Sequence, residues 1–162
     1  MPIDSARFLR HMTWANEKVF TAVQALPDEA LTSYVTNPDF DAARILQHIV
    51  EGAEWFAYCL CQNPWRPRIR PATMSDVKVL AQELRELEII ILREDALEDE
   101  MVTFDDEDGV RSAWRSTILF QSIHHATEHR AQLVDALELR GHTPINLDDL
   151  DLWAFEKFEE SR

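Results

Sequence analysis

Glycine is scarce in this chain: Gly52, Gly109 and Gly141 are the only three in 162 residues. A turn-rich β-sandwich or a phosphate-cradling glycine loop needs more, and neither a GxGxxG nor a P-loop pattern occurs. Cations are also short, with 16 Lys and Arg against 30 Asp and Glu and a formal net charge of −14. No basic block exists to neutralise phosphates, which disfavours nucleic acid and anionic membrane surfaces as partners. No apolar run approaches the ~20 residues of a membrane span, and the N-terminus lacks a signal-peptide apolar region. A soluble cytoplasmic protein is the expectation. Cysteine is limited to Cys59 and Cys61. On a helix these two project roughly 200° apart, so they neither bridge nor chelate one ion together. They read as small core or boundary residues and fit a reducing compartment.

What remains is ordinary for a globular domain: 46% hydrophobic and 28% charged residues. The length suits one domain, taken as 1–162, with a sizeable core. Apolar positions Phe8, Met12, Ala15, Val19, Ala22 and Val23 recur at three-to-four spacing, predicting a first helix over Ile3 to Leu26. A second helix is expected from about Asp41, capped by Asp39 or Asp41, to Cys61. On it His48, Gly52, Trp55 and Cys59 share a stripe. Gly52 is either an opening for a close approach or a neutral packing residue. The segment from Asn63 to Pro71 holds three prolines and cannot be regular helix. Its Arg66, Arg68 and Arg70 suit a solvated connector or a grip on an acid group.

A third helix is expected from a cap near Ser75–Asp76 to about Glu94. Next, Met101–Phe104 and Val110–Trp114 flank an acidic turn ending at Gly109, the pattern of a hairpin. The fourth helix runs from about Arg115 to Arg140, with Gly141 as its stop. Ile118, Ser122, His125, His129, Gln132 and Ala136 mark its inner face. Ala154 to Arg162 is a short final helix. The fold class is therefore all-α, a four-helix bundle with a long crossover and a short β-hairpin before the last long helix.

His124 to Gln132 carries three of the six histidines. His125 and His129 differ by only ~40° on a helix and by about one turn of rise. Two imidazoles stacked so can converge on one ion, and the best third ligand is His48, mid-helix in an apolar run. The alternative is that these are satisfied core histidines; His48 taken alone reads that way. His125-Ala-Thr-Glu128-His129 also matches the H-x-x-E-H signature of a peptidase family with a base at the glutamate. Those enzymes take their third ligand from far downstream, and only 33 residues follow His129 here. A di-iron bundle site is disfavoured because no Glu-x-x-His occurs.

Trp14-Ala15-Asn16, then His48, then His125-x-x-x-His129-Arg130-x-Gln132 together resemble the DinB-like bundle superfamily, over nearly the whole chain. Its members include thiol-dependent S-transferases and maleylpyruvate-isomerase-like enzymes. The resemblance places the metal ligands at His48, His125 and His129, and it implies a divalent ion, most often zinc or nickel, with iron also suited to imidazole. It further implies a homodimer. Where the family often has a histidine, this chain has Glu128, a candidate base or orienting group beside the ligands. His11, Trp14 and Asn16 are candidates to line the mouth of the site, with core packing the alternative for Trp14. The function expected is metal-dependent thiol S-transfer or hydrolysis on a small-molecule substrate, with a low-molecular-weight thiol as partner. The alternative is a metal-binding or dimerising module without turnover.

Overall fold

The computed structural model describes residues 4–162. Five helices and one hairpin make it up: α1 (Ser5–Val23), α2 (Ala42–Cys61), α3 (Met74–Glu94), β1 (Met101–Asp106), β2 (Gly109–Trp114), α4 (Arg115–Glu138) and α5 (Leu152–Glu160). Ile3, expected to start the first helix, lies outside the described residues. The first four long helices form the bundle. Both α1 and α2 pack against α3 and α4, so each consecutive pair α1/α2 and α3/α4 lies across the bundle. The long connection 24–41 and the hairpin excursion carry the chain between these diagonal positions. Among the described residues no helix is long and apolar enough to cross a membrane.

Local chemistry sets the helix ends. Asp41 caps α2, its carboxylate accepting from the Arg44 backbone N–H at 2.9 Å, which decides between the two candidate caps. The cap of α3 is Thr73, two residues before the expected one. Its hydroxyl accepts from the Asp76 N–H while the Asp76 carboxylate accepts from the Thr73 N–H. That reciprocal pair satisfies two orphan donors, which is why the helix starts at Met74 and Asp76 sits inside its first turn. Gln62 ends α2 in the left-handed region at φ 58°. Gly141, at φ 84°, turns the chain after α4. In the hairpin Met101 pairs with Trp114 and Asp106 with Gly109, so the strands run further into the acidic stretch than the pattern suggested. The turn is only Glu107–Asp108.

The core is a continuous layer of Leu9, Val19 and Phe20 from α1, Ile45, Leu46 and Ile49 from α2, Leu84 and Ile91 from α3, and Leu133 and Leu137 from α4. Two buried ion pairs fasten the irregular segments to it. Glu54, wholly buried, accepts from Arg68 Nε at 2.9 Å and Nη2 at 2.8 Å, and from the Arg66 backbone N–H at 2.9 Å. Arg68 also reaches Glu83 at 3.0 Å. Arg68 thus clamps the proline-rich loop between α2 and α3, while most of the loop around it, Trp65, Arg66, Ile69 and Arg70 included, stays exposed. Arg115, at the start of α4, pairs with Glu94 and Glu100 and donates to the Glu98 carbonyl.

Candidate metal centre

His48 stands on α2 and His125 and His129 on α4, helices that pack directly against each other. One donor nitrogen from each lies within 4.8 Å of the other two. The ring centroids are 4.9, 4.5 and 4.3 Å apart. His125 Nε2 and His48 Nε2 are separated by 3.3 Å. Two nitrogens bound tetrahedrally at ~2.0–2.1 Å would stand roughly 3.3–3.4 Å apart, so this donor pair already has the spacing of a chelate. The three residues are a group that can hold a metal ion.

Each ring is held from outside the cluster. His129 Nδ1 is 2.8 Å from Gln132 Oε1, an acceptor, so Nδ1 carries the hydrogen and the Nε2 lone pair is left for the centre. Glu51 lies 3.9 Å from His48 Nδ1 and pairs with Arg44 at 2.7 Å. His125 is positioned by an absence. A Cβ on Gly52 would fall 2.2 Å from its Cε1, 2.7 Å from Nδ1 and 2.9 Å from Nε2. The ring occupies the notch that glycine leaves in α2, which decides the open question about Gly52. Phe40 packs on His48 and His129 at 5.9 and 6.0 Å, and Phe56 meets His125 edge-on at 5.6 Å.

Those aromatic walls also set the charge state. Burial, then the neighbouring His129 and His48, pushes the His125 imidazole down to about 4. Burial also lowers His48, with His129 and Arg44 acting the same way and Glu51 opposing. Both rings are therefore neutral at pH 7, the state in which imidazole binds metal.

None of the remaining candidates is hydrogen-bonded to the three rings. Glu128 is exposed and makes no hydrogen bond or ion pair among the described residues. His11 faces the C-terminal segment: its Nε2 is 2.6 Å from the Leu150 carbonyl and its ring meets Phe155 edge-on at 5.5 Å. Burial lowers its pKa. Trp14 is buried against Phe155 and Phe158, and its indole N–H has no partner among the described residues. Asn16 is buried inside the bundle. Its amide donates to Glu88 Oε1 at 2.7 Å and its carbonyl accepts from Arg130 Nη1 at 2.7 Å.

Sequence reasoning missed this Asn16–Glu88–Arg130 network. It arises because α4 is turned relative to expectation. Leu119, Ala126, Leu133 and Leu137 take the centre of its inner face, with Arg130 among them. His125 and His129 move to the seam with α2, half-buried, and Gln132 becomes exposed. The signal was present: Arg130 sits four residues after Ala126 and three before Leu133, and Glu88 four after Leu84 and three before Ile91. An ionisable side chain at such a position needs a buried hydrogen-bond partner.

The DinB family model matches residues 1–160, and the chain belongs to the DinB family. No curated protein matches it.

Proposed function

We propose that this chain binds one divalent metal ion, zinc or nickel before iron, through His48, His125 and His129, and uses it for thiol S-transfer or hydrolysis on a small molecule. The observation that carries the reading is the cluster of three imidazole nitrogens within 4.8 Å of one another. No carboxylate or thiol of the described residues joins them, so coordination positions remain for an exogenous ligand. A bound ion of this kind supplies Lewis acidity and lowers the pKa of a water or thiol toward neutrality.

The protein's own residues do the rest. Gly52 and Gln132 fix the aim of His125 and His129, while Phe40 and Phe56 pack against the rings. Glu128, next to His129 and free in solvent, is the carboxylate available to take a proton from an incoming substrate. The partners proposed are a low-molecular-weight thiol and a second copy of the chain. The second reading is a metal-binding or dimerising module without turnover; the cavity beside His125 is only about 10 Å³ and is lined by neither His48 nor His129.

Metal content by elemental mass spectrometry tests the first step: about one ion per chain is expected in wild type and none in His129→Ala. No metal in wild type after incubation with Zn²⁺ or Ni²⁺ would remove the reading. A panel of thiols and electrophiles, run with metal-loaded and metal-free protein, then separates enzyme from module. Glu128→Gln, which should keep the ion and slow turnover, tests the base. Sedimentation of the purified chain tests the dimer.

A further inference from the structure

Three imidazoles bring no negative charge to a divalent ion, and the next residue after His129 is a buried arginine. A filled site would therefore place at least two positive charges in the bundle beside Arg130 with no carboxylate among the ligands. Burying such charge uncompensated is costly. Glu51, 3.9 Å from His48 Nδ1, is already paired with Arg44 at 2.7 Å, and on the inner side of the cluster the carboxyl is Glu88. Glu88 is 1% exposed and faces the same cavity of about 10 Å³ as His125, with Asn16, Met12 and Ser122 around it. That is space for about one water.

We propose that Glu88 is the internal counter-charge of the metal centre, carrying a proton while the three histidines are empty and releasing it when a divalent ion enters. The proposal rests on the metal-binding reading above and adds its proton stoichiometry. Its balance is simple: the ion enters, the Glu88 O–H breaks, the electron pair stays on the carboxylate, and the proton leaves to solvent. An exit exists on the side of Glu88 facing α1. A second cavity of about 20 Å³ is lined there by Asn16, Glu17, Thr21, Gln24, Arg85 and Glu88.

The surroundings support a neutral Glu88 in the empty site. The α2 residues at this cavity, Ile49, Ala53 and Phe56, are apolar, and the one hydrogen bond Asn16 donates, which favours the carboxylate, is outweighed by burial. From α1 Glu17 opposes ionisation, while Arg85 on its own helix and Arg130 on α4 favour it. His125, also on α4, is uncharged. Desolvation is the largest of these effects and pushes the carboxyl up to about 8. A dication across the cavity adds attraction that the empty site lacks and draws the group down into its ionised form.

Zn²⁺ titrated calorimetrically into metal-free protein at pH 7, in two buffers of different ionisation enthalpy, counts the protons released. A group titrating at about 8 is about nine-tenths protonated at pH 7. Wild type should therefore release about 0.9 proton more per Zn²⁺ than Glu88→Gln. Protons from a bound water are common to both and cancel. Equal counts overturn the proposal while leaving the metal site standing. An infrared difference spectrum of wild type alone, Zn²⁺-loaded minus metal-free, needs no variant. Loss of a protonated-carboxyl stretch with gain of a carboxylate band is expected, and an unchanged carboxyl region overturns the proposal. Failure of wild type to bind Zn²⁺ at all overturns the metal-binding reading first, and this coupling with it.

Discussion

Replacing Gly52 by alanine should cost the protein its metal and little of its stability. The added Cβ would lie 2.2 Å from His125 Cε1 and under 3 Å from both ring nitrogens, far inside van der Waals contact. The α2 backbone cannot yield without disturbing Ile49, Val50 and Phe56, which are packed in the core. The imidazole can yield by rotating about its side-chain torsions, but it then leaves His48, 3.3 Å away. Overpacking costs about 1–3 kcal/mol. Alanine in mid-helix returns about 1 kcal/mol over glycine. The net effect on the metal-free protein should thus stay within about 2 kcal/mol, a shift of a few degrees in Tm for a chain of this size. Metal affinity should fall at least ~100-fold, the upper range for losing a group that only orients a ligand. The decisive assay is a double-mutant cycle read by urea unfolding. In a His125→Ala background the ring is gone, so Gly52→Ala should become stabilising by about 1 kcal/mol. Wild-type Zn²⁺ affinity in Gly52→Ala would refute the notch argument, as would an equal cost in both backgrounds.

Gln132→Ala should weaken Zn²⁺ binding ~10–100-fold by freeing the His129 tautomer, as measured by competition with a chromophoric chelator; an unchanged affinity would mean the 2.8 Å contact does not orient the ring. Arg68→Met strands the Glu54 carboxylate, which is wholly buried, and should cost about 3–5 kcal/mol in urea unfolding and expose residues 62–72 to proteolysis; near-wild-type stability would contradict the clamp. For Glu88 the sign follows from a folded-state pKa raised from 4.5 to about 8. Its contribution to the stability of metal-free protein is full below about pH 4.5 and is lost as pH rises through about 8. Wild type should therefore lose up to a few kcal/mol more than Glu88→Gln between about pH 5 and pH 9, read from urea midpoints, and parallel pH profiles would rule this out. His11→Ala removes the 2.6 Å contact to the Leu150 carbonyl and should speed hydrogen exchange in α5 without lowering metal content.

The helices and the hairpin were legible because apolar spacing, proline placement and two of the three glycines are local signals. Their ends were less so. Thr73 outcompeted Ser75 as a cap because Asp76 could answer it from N3, a reciprocity that depends on side-chain geometry. The anchor of the loop at Arg68 was hidden for a similar reason. Nothing near it in sequence reveals that Glu54, fourteen residues earlier, is buried and waiting for a bidentate partner. The three histidines converged because i, i+4 spacing on one helix constrains two of them whatever the rest of the fold does. His48 needed only to lie on a facing helix.

Rotation of α4 was the quantity the sequence left open, and it decides what each polar residue of that helix does. A face centred on the histidines and one centred on Leu119, Ala126 and Leu133 differ by a fraction of a turn, and both are half apolar. Burial settles the contest: the second face buries leucines against α1 and α2 and leaves Gln132 exposed. The cost is that Arg130 goes inside, which requires polar residues on the inner stripes of other helices. Asn16 on α1 and Glu88 on α3 are those residues. Turning α4 back toward a histidine-centred face would take Arg130 away from the Asn16 carbonyl and lift His125 out of the Gly52 notch. The buried network and the metal cluster therefore hold the same helix in the same rotation from two sides, so disruption of Asn16 should loosen a metal site it does not touch.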